Sequence, residues 1–223
     1  AHSTGGETVV AVYGTTPTVN GIISAGEWDD ASTVTFTVTD GATCTVYVKQ
    51  DGSHLYVAFD ILDATGDNLD LSEVYLDVEH DGGENPRTDD LLFKVRRDGV
   101  IKEGYVVSGG WVLRDPDGWT AARLWHTGTG WQTEYSIPYS KIGVTAGEEK
   151  TLGVMFKTYD QTPGSSFGWP HDWSYMEPDT WADLTSPSPW FWIPEIPSSL
   201  VAIALMLAAV IAYPHMRKSR LKS

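Results

Sequence analysis

The stretch VYVKQDGSHLYVAFDILD, residues 46–63, carries apolar side chains at every second position on both sides of the turn residues Asp51-Gly52-Ser53. Val46 and Val48 share one side of the chain, as do Leu55, Val57, Phe59 and Ile61. A period of two belongs to half-buried strands, because successive strand side chains point to opposite faces; a helix would repeat every three to four residues.

The same period recurs on either side of this stretch. Val34/Phe36/Val38, Val74/Leu76/Val78, Leu91/Phe93/Val95, Trp131/Thr133/Tyr135/Ile137 and Leu152/Val154/Phe156 all alternate, and Gly, Asp, Asn and Pro separate them. Before residue 198 no segment keeps a helical period over ten residues, apart from a turn at PYSKIG (138–143). No long repeat is present, so a propeller or solenoid is not expected. These patterns predict an all-β, antiparallel β-sandwich, jelly-roll-like, over residues 17–186. Residues 1–16 read as an N-terminal extension or strand, with strand character in GETVVAVYG (6–14). Cys44, the only cysteine, is in phase with Val46 and Val48 and reads as core, so the fold relies on packing rather than a disulfide.

A hydrophobic content of 41% over 223 residues is enough for a sizeable core. Thirty acidic residues against 15 basic give a formal charge of −15, and Arg217, Lys218, Arg220 and Lys222 crowd the C-terminus, so the remainder is more acidic still. Such a surface repels nucleic acid and suits cations or neutral ligands. No P-loop, dinucleotide fingerprint, nucleophile triad order or zinc-protease motif occurs, and no Asn begins a glycosylation acceptor. Glu27 and Glu134 can be named as a carboxylate pair for hydrolysis, but in so acidic a chain any pair can be named. The reading is a protein without catalysis.

The C-terminus has a separate organisation. SPSPW and its continuation, residues 187–195, form a Pro/Trp-rich stalk with Trp190, Phe191 and Trp192 as an interfacial belt. Residues 196–213 hold 18 positions without a charge, long enough at about 1.5 Å per residue to cross a hydrocarbon layer of roughly 30 Å. We therefore predict a transmembrane helix over 196–214, anchored by Ile196, Leu200 and Tyr213, and a basic cytoplasmic tail over 215–223 containing Arg217 and Lys218. The order Pro194-Glu195-Ile196-Pro197, apolar span, basic end resembles archaeal PEF-type sorting signals, with Ile196 where that pattern has Phe. A chain beginning at Ala1 fits an export signal already removed. The expected location is the cell membrane, single-pass, with the N-terminal domain outside.

Residues TVNGIISAGEWDDA (18–31), VYVKQDGSHLYVAFDILD (46–63), VYLDVEHDG (74–82), GWQTEYSIPYSKIG (130–143) and TLGVMFKTYD (151–160) together resemble the family 9 carbohydrate-binding module and its DOMON-like sandwich relatives. The resemblance implies a sandwich with a fold-forming tryptophan at Trp28. It also implies two possible ligands. One is a sugar held between two tryptophans, one early and one late in the module. The other, less favoured, is b-type haem gripped by a methionine with a lysine or histidine, for which Met155, Met176, His126 and His171 are the candidates.

Sugar binding needs flat apolar faces beside polar groups. WPHDWSYMEPDTWADL (169–184) supplies Trp169, Trp173 and Tyr175 as platform candidates, with Trp181 read as closing the core. SGGWVLRDPDGWTAARLWH (108–126), read as a loop, supplies Trp111 and Trp119. A metal, calcium by its all-oxygen composition, is suggested by YLDVEHDGGENPRTDD (75–90), where Asp77, Glu79 and Asp81 alternate onto one strand face near Glu84, Asp89 and Asp90. The expected function is a membrane-anchored extracellular module that binds carbohydrate or a cell-envelope glycan. One alternative is a structural subunit that pairs its N-terminal strand within a homo-oligomer or complex; another is a haem-dependent electron carrier.

Overall fold

In the computed structural model, which describes residues 6–125, 129–187 and 189–190, the alternating segments become strands. In chain order these are β1 (Thr8–Val10), β2 (Val12–Tyr13), β3 (Ser32–Thr37), β4 (Thr43–Gln50), β5 (His54–Ile61), β6 (Leu71–Asp77) and β7 (Asp90–Arg96). They are followed by β8 (Ile101–Val107), β9 (Gly110–Arg114), β10 (Thr120–Leu124), β11 (Trp131–Pro138), β12 (Leu152–Asp160), β13 (Ser165–Trp169) and β14 (Ala182–Thr185).

Two sheets result. The larger runs β1-β14-β12-β6-β7-β8-β9, with β13 also on β12; the smaller runs β10-β11-β5-β4-β2, with β3 also on β4. The quoted stretch makes the β4–β5 hairpin, with Val48 opposite Val57 and Gln50 opposite Leu55. Gly52 takes the turn at φ 91°, and Asp51 Oδ1 accepts the Ser53 and His54 N–H groups at 2.9 and 3.0 Å.

The core lies between the sheets. Val74, Leu76, Phe93, Val154 and Phe156 face Val46, Val57, Phe59 and Ile137, all fully buried. Phe59 meets Phe156 edge-on at 5.9 Å. A small polar knot sits within: Tyr135 donates its hydroxyl hydrogen to the Ser72 carbonyl at 2.8 Å, and the Ser72 and Thr133 hydroxyls are 2.9 Å apart.

The structure departs from the sequence reading in three places. The N-terminal segment is woven into both sheets, β1 parallel to β14 and β2 parallel to β4, so the sandwich is not purely antiparallel. The cause is apolar burial, since Val9 and Ala11 enter the core. The stretch read as a loop at 108–126 contains β9 and β10, edge strands whose exposed faces lack a clean alternation. Trp190, expected in an interfacial belt, is fully buried against Tyr139 and donates its indole hydrogen to the Lys150 carbonyl at 2.7 Å. The predicted span over 196–214 and the tail beyond it lie outside the described residues. Among the described residues no helix is long and apolar enough to cross a membrane.

Trp28 is buried and its indole N–H donates to Glu134 Oε1 at 3.0 Å. The other carboxylate oxygen of Glu134 accepts the Asn20 and Gly21 N–H groups at 2.8 and 2.7 Å, and Glu27 accepts that of Thr18. Of the two glutamates named as a possible hydrolytic pair, Glu134 thus holds the first turn to β11 and Glu27 braces that turn from within. Glu134→Ala leaves three donors without an acceptor and is expected to lower unfolding stability by about 3 kcal/mol. Glu134→Gln, which keeps an acceptor oxygen, should lose clearly less in a urea titration.

Candidate functional site

Strand β6 is buried along its whole length, on both faces. Ser72, Val74 and Leu76 point to the core, so Glu73, Tyr75 and Asp77 point the other way, with Tyr75 beneath the segment 170–181. Each of these outward residues gathers a different set of partners.

Tyr75 is the hub of an aromatic cluster. Its ring lies 5.4 Å from Trp111, 5.8 Å from Trp181 and 6.5 Å from Tyr175. Met155 and Leu92, its neighbours on β12 and β7, complete the floor with Trp173 packed against them. The segment above is pinned by its own polar groups: Trp111 Nε1–H donates to the Tyr175 carbonyl at 3.0 Å and Trp181 Nε1–H to the Ser174 carbonyl at 2.8 Å. Gly168 is needed for this closure, because a Cβ there would stand 2.7 Å from the Phe156 carbonyl oxygen and 3.0 Å from the Trp173 ring. The upper side of the cluster is open. Tyr175 is 45% exposed and Leu113, aligned beside Gly104 on the same face, is 48% exposed, with Trp111 half-buried.

Glu73 supplies the polar side. Lys157 Nζ reaches its carboxylate at 2.6 Å, Lys94 Nζ at 3.2 Å and the Tyr75 hydroxyl at 2.9 Å. Burial alone would raise the Glu73 carboxyl, but the two ammonium groups outweigh it and hold it below its ordinary value. Burial and this carboxylate push the Tyr75 phenol up. Lys157 also sits 5.4 Å from the centre of the Tyr175 ring. The outcome is an aromatic shelf flanked by two lysines, in a chain whose charge is otherwise strongly negative.

Asp77 leads to the acidic turn. Its carboxylate accepts the Gly82 and Asp81 N–H groups at 2.8 and 3.2 Å. Oxygens of Asp77, Asp81 and Asp89 lie within 4.8 Å of one another. Asp90 is buried alongside, with Oδ2 accepting the Arg87 N–H at 2.6 Å and Oδ1 without a partner among the described residues. Glu79 and Glu84, grouped with them from sequence, are exposed. Glu79 lies beyond the end of β6 and pairs loosely with Lys150 at 3.7 Å, so it does not alternate onto the Asp77 face. The turn and the aromatic segment are tied together: Gly83 N–H donates to Asp179 Oδ1 at 2.9 Å and Asp179 N–H to the Gly83 carbonyl at 3.1 Å.

Of the other residues singled out from sequence, Trp173, Tyr175 and Trp111 are brought together. Trp169 and Trp119 are not. Trp169 ends β13 and packs inward, stacked 5.8 Å from Phe156. Trp119 is buried against Phe93 and donates its indole hydrogen to Glu103 at 3.0 Å. Trp181 is fully buried, under the shelf rather than between the sheets. Met155 is enclosed by Tyr75, Leu92 and Trp181, so its sulfur is not open to an iron; His171 is exposed beside Asp172, and His126 lies outside the described residues. The sequence reading missed Glu73, Tyr75, Lys94 and Lys157. The signal available was the outward phase of β6 and β12, apolar or aromatic at Tyr75 and Met155.

No family model matches the chain, and no curated protein matches it. Solved structures do. A family 9 carbohydrate-binding module from Caldicellulosiruptor kristjanssonii, in complex with cellotriose, is 15% identical, with 86% of this chain and 100% of that one covered at a TM-score of 0.62. A family 9 module from the same organism in complex with glucose is 14% identical at 0.63, with the same coverage. A Bacteroides uniformis protein proposed to bind carbohydrate is 14% identical at 0.56, covering 81% of this chain and 98% of its own. The likeness is one of fold. It agrees with the sandwich that the sequence motifs implied.

Burial pushes the Asp90 carboxyl up to about 8, only partly offset by the Arg87 N–H, and the neighbouring charges of Asp77, Asp89 and Asp81 add to the rise. Between roughly pH 4 and pH 8 the cation-free folded chain thus holds a proton that the unfolded chain lacks. Stability should fall as pH rises through that window, by up to about 1.4 kcal/mol per unit, and level off above it. In EDTA, Asp90→Asn should melt above the parent chain near pH 8.5, with the difference shrinking towards pH 5, in thermal scans across that range.

Proposed function

We propose that the protein is a non-catalytic glycan-binding module whose site is the outer face of the larger sheet, around Trp111, Tyr175, Trp173, Lys94 and Lys157. The observation that carries this reading is the aromatic shelf over Tyr75, half-open above and built on a floor that is buried on both sides. Trp111 and Tyr175 offer ring faces to the C–H side of a pyranose, and the lysine ammonium groups stand where ring hydroxyls need donors. The fold supports it as well, since the neighbours of known ligand hold cellotriose and glucose.

Calcium is part of this proposal. The ligand set at the acidic turn is all oxygen, and neutralising Asp77, Asp81 and Asp89 would fix the turn whose Gly83 is bonded twice to Asp179, in the segment that carries Tyr175. We also propose that the apolar span 196–214 anchors the module in the cell membrane, with residues 1–189 outside, so that the glycan is an extracellular or cell-envelope one. The uncharged span and its basic flank support that orientation. The alternative role as a strand-donating subunit is less well supported, because β1 and β2 are already paired within their own chain. A haem role has the weakest support, given the enclosure of Met155.

The test is calorimetry of the chain with cello-, xylo-, manno- and chito-oligosaccharides. At least one is expected to bind, and Trp111→Ala or Tyr175→Ala should each weaken it roughly tenfold, about 1.4 kcal/mol, without lowering the melting temperature by more than a few degrees. No binding across the panel, or affinity untouched by both substitutions, would remove the shelf as the site.

A further inference from the structure

At one end of the sandwich, away from the acidic turn, four more carboxylates meet. Asp63 follows β5, Asp67 and Asp70 precede β6, and Asp160 ends β12. They lie far apart in sequence, and only the fold gathers them. Oxygens of Asp67, Asp70 and Asp160 all lie within 4.8 Å of one another. That spacing is what a single ion with oxygen ligands at about 2.4 Å can bridge, since ligands on opposite sides of it stand twice that distance apart.

Two further features point to a ligand. A cavity of about 10 Å³, close to the volume one water or ion requires, is lined by Asp63, Asp70, Asp160 and Thr158 with Trp131 and Phe167 behind them. It is lined by Thr158, only 3% exposed, whose hydroxyl has no hydrogen-bond partner among the described residues, and Asp67 Oδ2 is likewise buried without one among them. An unpartnered buried hydroxyl is disfavoured unless something fills the space before it. A wider cleft of about 280 Å³ shares Asp63 and Asp160 with the cavity.

Charge points the same way. Among the described residues the guanidinium at the site is Arg97, fully buried, which contacts Asp63 at 2.7 Å and Asp70 at 3.0 Å and lies 4.8 Å from the centre of the Trp125 ring. It leaves the four carboxylates in excess.

We propose that this end of the sandwich holds one hard divalent cation, calcium by its ligand chemistry, between the carboxylates of Asp67, Asp70 and Asp160 and the hydroxyl of Thr158. Carboxylate and hydroxyl oxygens with no nitrogen or sulfur select calcium over zinc, and an irregular set drawn from separate segments suits calcium better than octahedral magnesium. The ion would tie the start of β6 to the end of β12 and draw in Thr39, whose hydroxyl donates to Asp160, so that it clamps the two sheets at their open end. This site is separate from the acidic turn and does not rest on glycan binding.

The test uses the whole chain carrying Asp89→Asn, which disables the acidic turn. After EDTA treatment, calcium should still raise its melting temperature, and terbium should give luminescence sensitised by Trp131 at the cavity wall. Adding Asp160→Asn should abolish both. Adding Thr158→Val should weaken calcium binding roughly tenfold, while the calcium-free melting temperature stays level or rises because an unpartnered hydroxyl has been removed. That second variant keeps the test valid if Asp160→Asn fails to fold. Absence of any calcium response in the Asp89→Asn chain, or a response that persists unchanged in Thr158→Val, would overturn the proposal and leave the cavity to water.

Discussion

Strand β6 is buried on both faces, and most of the larger sheet's architecture follows from that constraint. A strand with one face in a core needs nothing on its other face but water. Here the second face carries a carboxylate, a phenol and another carboxylate, and removing water from each obliges the fold to supply partners. Glu73 receives Lys94 and Lys157, Tyr75 receives Trp111, Trp181 and Tyr175, and Asp77 receives the N–H groups of the turn that follows. The segment 170–181 closes over Tyr75. Because it closes incompletely, with Tyr175 and Leu113 left in the open, it makes a surface rather than a second core.

The balance of effects on this face is local. Two lysines beside one buried carboxylate leave a single net positive charge, a small patch on a chain of −15. Long-range attraction of anions is therefore not expected; the lysines act at hydrogen-bond range, where a neutral polyhydroxyl ligand can use them. Rigidity comes from the aromatic floor, with Trp181 buried in it, and from indole hydrogens given to backbone carbonyls, which fix Trp111 while leaving its ring partly exposed.

How much of this the sequence revealed depended on whether a residue's partner was near in phase or far in sequence. Core strands such as β4, β5 and β12 were legible because burial on one face imposes a period of two. The strands β8 to β10 were not: β9 and β10 are edge strands half in solvent, and β8, second from the edge, breaks its alternation with Lys102, Glu103 and Gly104. Trp169 and Trp173 looked alike in a Gly/Pro-rich stretch, yet β13 pairing turns Trp169 inward to stack on Phe156 while Trp173 reaches the outer cluster. The acidic turn at 77–90 was visible because its members are neighbours in the chain. The cluster at Asp67, Asp70 and Asp160 was not, because its members meet only when β6 and β12 pair.

The central claim is that the outer face around Tyr75, and not the sheet edges or the space between the sheets, is where ligand meets protein. The direct measurement follows the tryptophan indole N–H resonances of the nitrogen-15-labelled chain while each oligosaccharide class is added in turn. The expected result is that at least one sugar moves the Trp111 and Trp173 signals and leaves those of the buried Trp28 and Trp131 in place. Movement confined to other tryptophans, or no movement with any sugar, would contradict the account.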